Sequence, residues 1–531
     1  MDAATTGAGA SRGIVSEGPG DTFWWQRRGG VLLLLLLAAV PLLWPAVPPL
    51  GDLPGHMGRY RAELEIAASP GLRRFYTFQW HVIGNLGVDL LVVPLSKLFG
   101  LEPAVKLIVI AIPVMTVGGF LWVSRGVHGR IPAATIFALP LAYNYAFQFG
   151  FANFTLSMAL AFLAFGLWLR LARWQRFGLR AAIFAPLSLV VWIAHAYGWA
   201  ALCVMAAIAE IIRQEERGKR WLHAAVSALP HGLALAPPLL AMVLWRSGNV
   251  GGETGDWFDW PQKLKYLAMA LRDRWMAFDL ASLVVLLALL WFAARDRRLA
   301  FARIPGLAAL VLLAIYVLLP RVIFGSSYAD MRLVPYLFAL ALLAIRPTPQ
   351  ADARFLRRLA FAAGAFLLVR TAGSAVSLWL YDRSDRSELA AVDHLPTGAR
   401  LVTFVGRQCG LKWWVTRLEH LPGLALERKR AFSNDQWDMA GGQPLAVAYP
   451  AGGGFVRDPS QIVVANGCQQ PRFRTIGQAL RGFPRHAFDY VWLIRPPPYD
   501  PVDARGLQPV WQSGPSVLYR VVDRTQPPAR P

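Results

Sequence analysis

The chain has 531 residues, 55% of them hydrophobic and only 16% charged, with a mean hydropathy of +0.39. That is more apolar material than a soluble core takes up, so the composition excludes a purely water-soluble protein and implies an α-helical polytopic membrane protein. The net charge of +22 does not point to nucleic acid, because the basic residues fall in short clusters between apolar runs, where they set membrane topology and meet membrane lipids.

Residues 1–29 read as a disordered cytoplasmic tail, and the apolar run 30–50 that follows is too long for the core of a cleaved signal. Basic clusters recur at Arg27 and Arg28, Arg125 with Arg130, Arg170 to Arg180, Arg213 to Arg220, Arg295 to Arg303 and Arg346 to Arg358. If all of these are cytoplasmic, an even number of crossings separates each neighbouring pair. Between the first two lie three apolar candidates, 30–50, 82–99 and 104–123, so one of them does not cross. Segment 82–99 carries Asn85 and Asp89 one turn apart, with Lys97 two turns further along nearly the same face. It is predicted to lie at the outer interface as an amphipathic helix. About eleven crossings remain, in a membrane domain over 30–381 with an outer loop at 51–102.

From residue 382 to 531 the long apolar runs stop and strand-like pieces appear at 399–405, 490–494 and 516–522, which predicts a small outer α/β domain. It has no phosphate loop, CxxC pair or nucleophile elbow, so no site is expected in it beyond shaping the mouth of the membrane domain or holding an acceptor. Cys409 and Cys468 fall in this domain and are a candidate disulfide in an oxidising compartment, whereas Cys203 sits in an apolar run as a buried small side chain.

Immediately after the first apolar run the chain reads Asp52-Leu-Pro-Gly-His56-Met-Gly-Arg59-Tyr-Arg61. A carboxylate there suits a general base, and the guanidiniums suit a phosphate. The competing reading is that Asp52 caps a helix and the arginines bind lipid head groups. His195 lies at an outer turn beside Tyr197 and Trp199, either as a site residue or as a hydrogen-bonded structural histidine. Asp330 and Arg332 close an outer loop, where Asp330 serves either a site or a helix cap. The 251–260 loop mixes acids with aromatics, a composition that fits sugar binding or interfacial anchoring.

An acid directly after the first helix, an amphipathic segment ending Lys97-Leu-Phe-Gly-Leu-Glu-Pro-Ala-Val-Lys-Leu107, and then a helix ending in a basic turn resemble the start of the GT-C glycosyltransferases. That superfamily includes the protein mannosyltransferases and the aminoarabinose transferases. The resemblance spans about the first 170 residues, plus the general plan of a membrane core followed by an outer domain. It implies inverting transfer of a sugar from a polyprenyl-phosphate carrier to a lipid or glycan acceptor, with Asp52 as base and His56 beside it. It also implies that segment 82–99 does not cross. The family's second acid falls at Asn153 here, which puts metal dependence in doubt and leaves a divalent metal as an open cofactor. The phosphate and substrate contacts then fall to Arg59, Arg61, Asn153, His195, Asp330 and Arg332. The excess of arginine over lysine fits a GC-rich bacterial genome, and with it an inner membrane whose active face is periplasmic. Two other functions stay open on the sequence: a lipid or polysaccharide transporter or flippase, which should show repeated halves that this chain lacks, and a non-catalytic scaffold of the same fold in envelope polymer assembly.

Overall fold

The computed structural model describes residues 23–246, 253–323, 325–410, 412–414, 417–438, 442–468, 470 and 472–526. Most of the expected tail, and Gly251 and Gly252 of the aromatic loop, lie outside the described residues.

Six helices among the described residues are long and apolar enough to cross a membrane: Leu101–His128, Ala152–Arg173, Phe177–Ala194, Ala196–Glu215, Met276–Arg295 and the helix that begins at Ala353. Trp221–Leu235 and Pro237–Val243 form a further pair bent by 64°, and Arg28–Leu42, Arg303–Leu318 and Met331–Ala344 are shorter apolar helices. Residues 133–149 are broken into Ala133–Ala138, a 3-10 turn at Leu139–Tyr143 and Tyr145–Phe149. The figure of about eleven crossings is not confirmed by the helices among the described residues.

Segment 82–99 is helical only over Gly87–Phe99, 13 residues with Pro94 inside. At 1.5 Å per residue that is about 20 Å, short of the ~30 Å hydrocarbon layer. Asp89 is fully buried rather than facing water, in an ion pair with Arg59 at 2.8 Å.

The helix Ala353–Leu389 runs for 37 residues without a break, so the expected boundary at residue 382 falls inside it. Its last turns carry Asp382, Asp385 and Glu388 against the outer domain, where Glu388 accepts from Arg495 Nε at 2.9 Å. The domain itself is a six-stranded mixed sheet in the order Arg474–Thr475, Ile462–Val464, Leu401–Gly406, Tyr490–Ile494, Ser516–Val521, Leu507–Ser513. The first four strands are parallel and the last two antiparallel. Leu401–Gly406 is buried at nearly every position and reads as a continuous apolar run, as a strand covered on both faces must.

The outer loop is welded to this domain. Its helix Leu53–Glu65 packs against Gly423–Lys429, and the two backbones approach so closely that a Cβ on Gly58 would lie 2.8 Å from the Gly423 carbonyl oxygen. Only glycine permits that approach. Tyr76–Phe78 adds an antiparallel pairing with Leu445–Val447. Phe75 and Tyr76 of the loop share a core with Phe432 and Phe488 of the domain, so the loop and the domain form one body above the helices.

Candidate functional site

Asp52 sits at the start of the Leu53–Glu65 helix, but its side chain makes no capping hydrogen bond. Its carboxylate is therefore free of the duty that competes with a functional one. The backbone there is pinned from below: Gly51 N and Asp52 N donate to the carbonyls of Gln148 and Phe149 at 3.2 and 2.8 Å. Gly150 makes the approach possible, since it holds φ +101° and a Cβ on it would lie 2.6 Å from Asp52 N.

His420, on the turn that leads into the Gly423–Lys429 helix, faces Asp52 from the outer domain. Its Nε2 lies 3.9 Å from Asp52 Oδ1 and 3.9 Å from Asp458 Oδ1, and its Nδ1 lies 3.2 Å from the Asp435 carbonyl oxygen and 3.7 Å from Asp435 Oδ2. Asp435 is oriented by the Ser433 hydroxyl at 2.6 Å and the Gln436 amide at 3.3 Å, and Gln436 also donates to Gly55 O at 3.1 Å. The His420 ring packs at a tilt of 32° on Trp437 at 4.2 Å, and His56 packs on the same indole at 4.8 Å.

The electrostatics follow from this packing. Burial pushes the Asp52 carboxyl up to about 7, with His420 and Arg332 pulling it down and Asp458 and Glu419 adding to the rise. Burial works against a charge on His420, yet its hydrogen bond to Asp435 and the charges of Asp52 and Asp458 outweigh it, raising the ring to about 10. Burial, reinforced by the Arg59 and His420 charges, holds His56 well below the usual imidazole range. Near neutral pH the arrangement is thus a half-ionised carboxyl, a charged imidazolium and a neutral second imidazole.

A narrow cavity of about 60 Å³ opens beside Asp52, and Tyr145, Gln148, Arg272, Tyr381, Arg417 and His420 are among its walls. Arg272 donates to Trp413 O, Lys412 O and the Tyr145 hydroxyl at 2.8, 3.0 and 3.0 Å, all neutral acceptors, and among the described residues it has no carboxylate partner. Arg417 is spoken for by Asp273 at 2.6 Å and Pro49 O at 2.6 Å.

The residues singled out from the sequence divide. Arg332 stays near the site: its guanidinium lies over Phe151 at 4.3 Å, and its charge acts on Asp52. His195 is the N-cap of Ala196–Glu215, its Nδ1 accepting from Tyr197 N at 3.2 Å. Asp330 accepts from Met331 N at 2.9 Å and from Lys263 Nζ at 2.9 Å, a capping and pairing role. Arg59 is locked to Asp89, and Arg61 to Glu65 and Glu427 at 2.6 Å each. Neither arginine lines the cavity beside Asp52. Asn153 donates to Asp89 Oδ2 at 3.0 Å and Asn85 O at 2.8 Å and accepts from Val88 N at 2.6 Å, which fastens the Gly87–Phe99 helix to Ala152–Arg173. The contacts of these three thus join structural elements.

Cys409 and Cys468 are disulfide-bonded, with Cα atoms 5.9 Å apart. Among the described residues no group of three or more His, Cys, Asp or Glu side chains is arranged to hold a metal ion. The C-terminal domain, in which no site was expected, contributes His420, Asp435 and Asp458 to the surroundings of Asp52. The one sequence signal for them is Ser433-Asn-Asp-Gln436, four consecutive polar residues that are all fully buried.

A many-pass helical domain, a short helix after the first short apolar span and a C-terminal α/β domain closing over them define the fold of a polytopic membrane protein. No protein-family profile and no curated protein matches the chain. Among solved structures the chain is similar in fold to ArnT from Cupriavidus metallidurans, an aminoarabinose transferase: in the apo state with a TM-score of 0.50 and 12% identity, over 93% of this chain and 98% of that one. The same enzyme bound to undecaprenyl phosphate gives 0.49 and 13%, over 94% and 99%.

Proposed function

We propose that the protein is a membrane glycosyltransferase that moves a sugar from a polyprenyl-phosphate carrier to a lipid or glycan acceptor on the outer face of the membrane. The observation that carries this reading is the Asp52 carboxyl, free of helix-capping duty, held near neutrality by burial and facing His420 at the junction of the membrane and outer domains. A base with a pKa near the working pH combines the ionised form with a useful affinity for the proton. In the proposed step Asp52 takes the proton of an acceptor hydroxyl as its oxygen bonds to the anomeric carbon. The bond from that carbon to the carrier's phosphate oxygen breaks on the opposite face, with inversion, and the polyprenyl phosphate leaves as an anion. Arg272, a buried guanidinium without a carboxylate partner among the described residues, and Arg332 are the cations suited to the leaving phosphate. Charged His420 favours the ionised form of Asp52 against the effect of burial.

The likeness to apo ArnT supports the class of enzyme, and the conditioned carboxyl supports catalysis over a purely structural role. With this reading go a cytoplasmic tail over 1–29, a membrane domain over 30–381, a periplasmic domain over 382–531 and a bacterial inner membrane. The test is Asp52→Asn in the full-length protein, assayed for transfer from a polyprenyl-phosphate sugar. Loss of about 10²–10⁴-fold in rate with unchanged folding is expected for removal of a general base. Full activity would remove Asp52 as the base.

A further inference from the structure

The helix Ala152–Arg173 starts beside Asp52, where Gly150 meets the Asp52 backbone, and ends 22 residues later, about 33 Å away at 1.5 Å per residue. At that far end the helices Phe177–Ala194 and Ala196–Glu215 meet the bent helix Trp221–Leu235. Glu210, Arg213, Gln214 and Arg217 fall on one stripe of Ala196–Glu215 and the turn after it, by their spacing of three and four residues. Arg180 reaches this stripe from the preceding helix and His231 from the following one.

The cluster is short of negative charge. Arg180, Arg213 and Arg217 lie against the Phe177 ring, their guanidiniums 5.0, 4.6 and 6.0 Å from its centre. Among the described residues Glu210 is the one carboxylate that pairs with any of the three. It is saturated: Oε1 accepts from Arg180 Nη1 at 2.5 Å and Trp168 Nε1 at 3.1 Å, and Oε2 accepts from Arg213 Nε at 2.8 Å and from its Nη2. Arg213 Nη1 is buried without an acceptor, and Arg217 has no ion pair among the described residues.

His231 shows the same shortage of acceptors. Its Nδ1 lies 2.9 Å from Arg180 Nη2, and its Nε2 lies 2.9 Å from Arg213 Nη2. A neutral imidazole accepts at only one ring nitrogen, so one of these contacts sets N–H against N–H. Gln214, 4% exposed, has the opposite need, with Oε1 buried and no donor. Buried polar atoms left in this state are rare unless a ligand or solvent completes them. A group with anionic oxygens and a hydroxyl completes all of these. Its source is set by the neighbouring helix, where Trp221, Leu222, Val226, Leu229 and Leu233 are exposed and offer acyl chains an apolar face.

We infer that the end of the membrane domain opposite Asp52 binds the phosphodiester head group of an anionic phospholipid. Arg213 and Arg217 take the phosphate oxygens, Gln214 accepts a head-group hydroxyl, and the lipid clamps the three helices together. The site is independent of the glycosyl-transfer reading, since none of its residues lines the cavity beside Asp52.

The experiment is equilibrium binding to the full-length protein, stripped of lipid in a non-ionic detergent and followed by native mass spectrometry. Phosphatidylglycerol is the probe, phosphatidylcholine the zwitterionic control and glycerol 3-phosphate the free-phosphate arm. Phosphatidylglycerol should bind saturably and at least ~10-fold more tightly than phosphatidylcholine, since charge-assisted hydrogen bonds are the strong ones. Arg213→Gln with Arg217→Gln should abolish that preference. Arg217→Gln alone, at an exposed position, should weaken binding at least ~3-fold and gives the same direction if the double variant folds poorly. Arg295→Gln, which removes one exposed charge from another turn at the same end, should leave the affinity unchanged. Equal binding of phosphatidylcholine, wild-type affinity in Arg217→Gln, or equal weakening by Arg295→Gln overturns the assignment. Glycerol 3-phosphate binding as tightly as the lipid overturns the lipid source. Asp52→Asn should bind phosphatidylglycerol as wild type does, so a failure of the catalytic reading leaves this result standing.

Discussion

Replacing His420 by glutamine removes the only imidazolium facing Asp52 among the described residues and leaves a side chain that can still hydrogen-bond to Asp435. The lost charge lies 3.9 Å from Asp52 Oδ1. An opposite charge at that range depresses a carboxyl by ~1–3 pKa units, so the substitution should move Asp52 from about 7 to roughly 8–10. At pH 7 the ionised fraction then falls from about one half to between about one tenth and one thousandth, a loss of ~5–500-fold in kcat/KM that recovers as the pH is raised. The wild-type profile should rise through about 7 as Asp52 ionises and stay level as His420 loses its proton at about 10, since Asp52 is then ionised without it. Initial rates across pH 5.5–10.5, about the span of those two groups, for both proteins supply the comparison. If the acid limb of His420→Gln stays where it is in wild type, or its deficit is the same at every pH, the charge coupling is refuted.

Asn153→Asp, which would restore the acid expected at that position, instead sets a second carboxylate beside Asp89 and removes the amide donor 3.0 Å away. Two buried carboxylates in contact resist ionising together, so folded yield on size-exclusion chromatography should fall sharply, with no gain in activity. Cys409→Ser with Cys468→Ser opens a loop of sequence separation 59. The chain-entropy relation gives about 4 kcal/mol for it, readable as a lower thermal midpoint of the outer domain that reducing agent reproduces in wild type alone.

What the sequence determined by itself is the solvent and the broad plan. Apolar runs of spanning length fix the membrane, because backbone polar groups in hydrocarbon leave few alternatives to helices. The short polar-faced helix at Gly87–Phe99 and the break to strands after the last long helix could both be read from local pattern. Local pattern did not show the pairing of Arg59, Arg61 and Asn153, because residue type alone does not distinguish a guanidinium waiting for phosphate from one already paired with Asp89 or Glu427. Only the tertiary structure decided that. It also brought His420 and Asp435 to Asp52 across more than 360 residues of chain, through a glycine-lined helix crossing and a strand pairing that fix the outer loop to the sheet domain. Desolvation and charge at Asp52 are properties of that closed interface, and no stretch of the chain taken alone contains them.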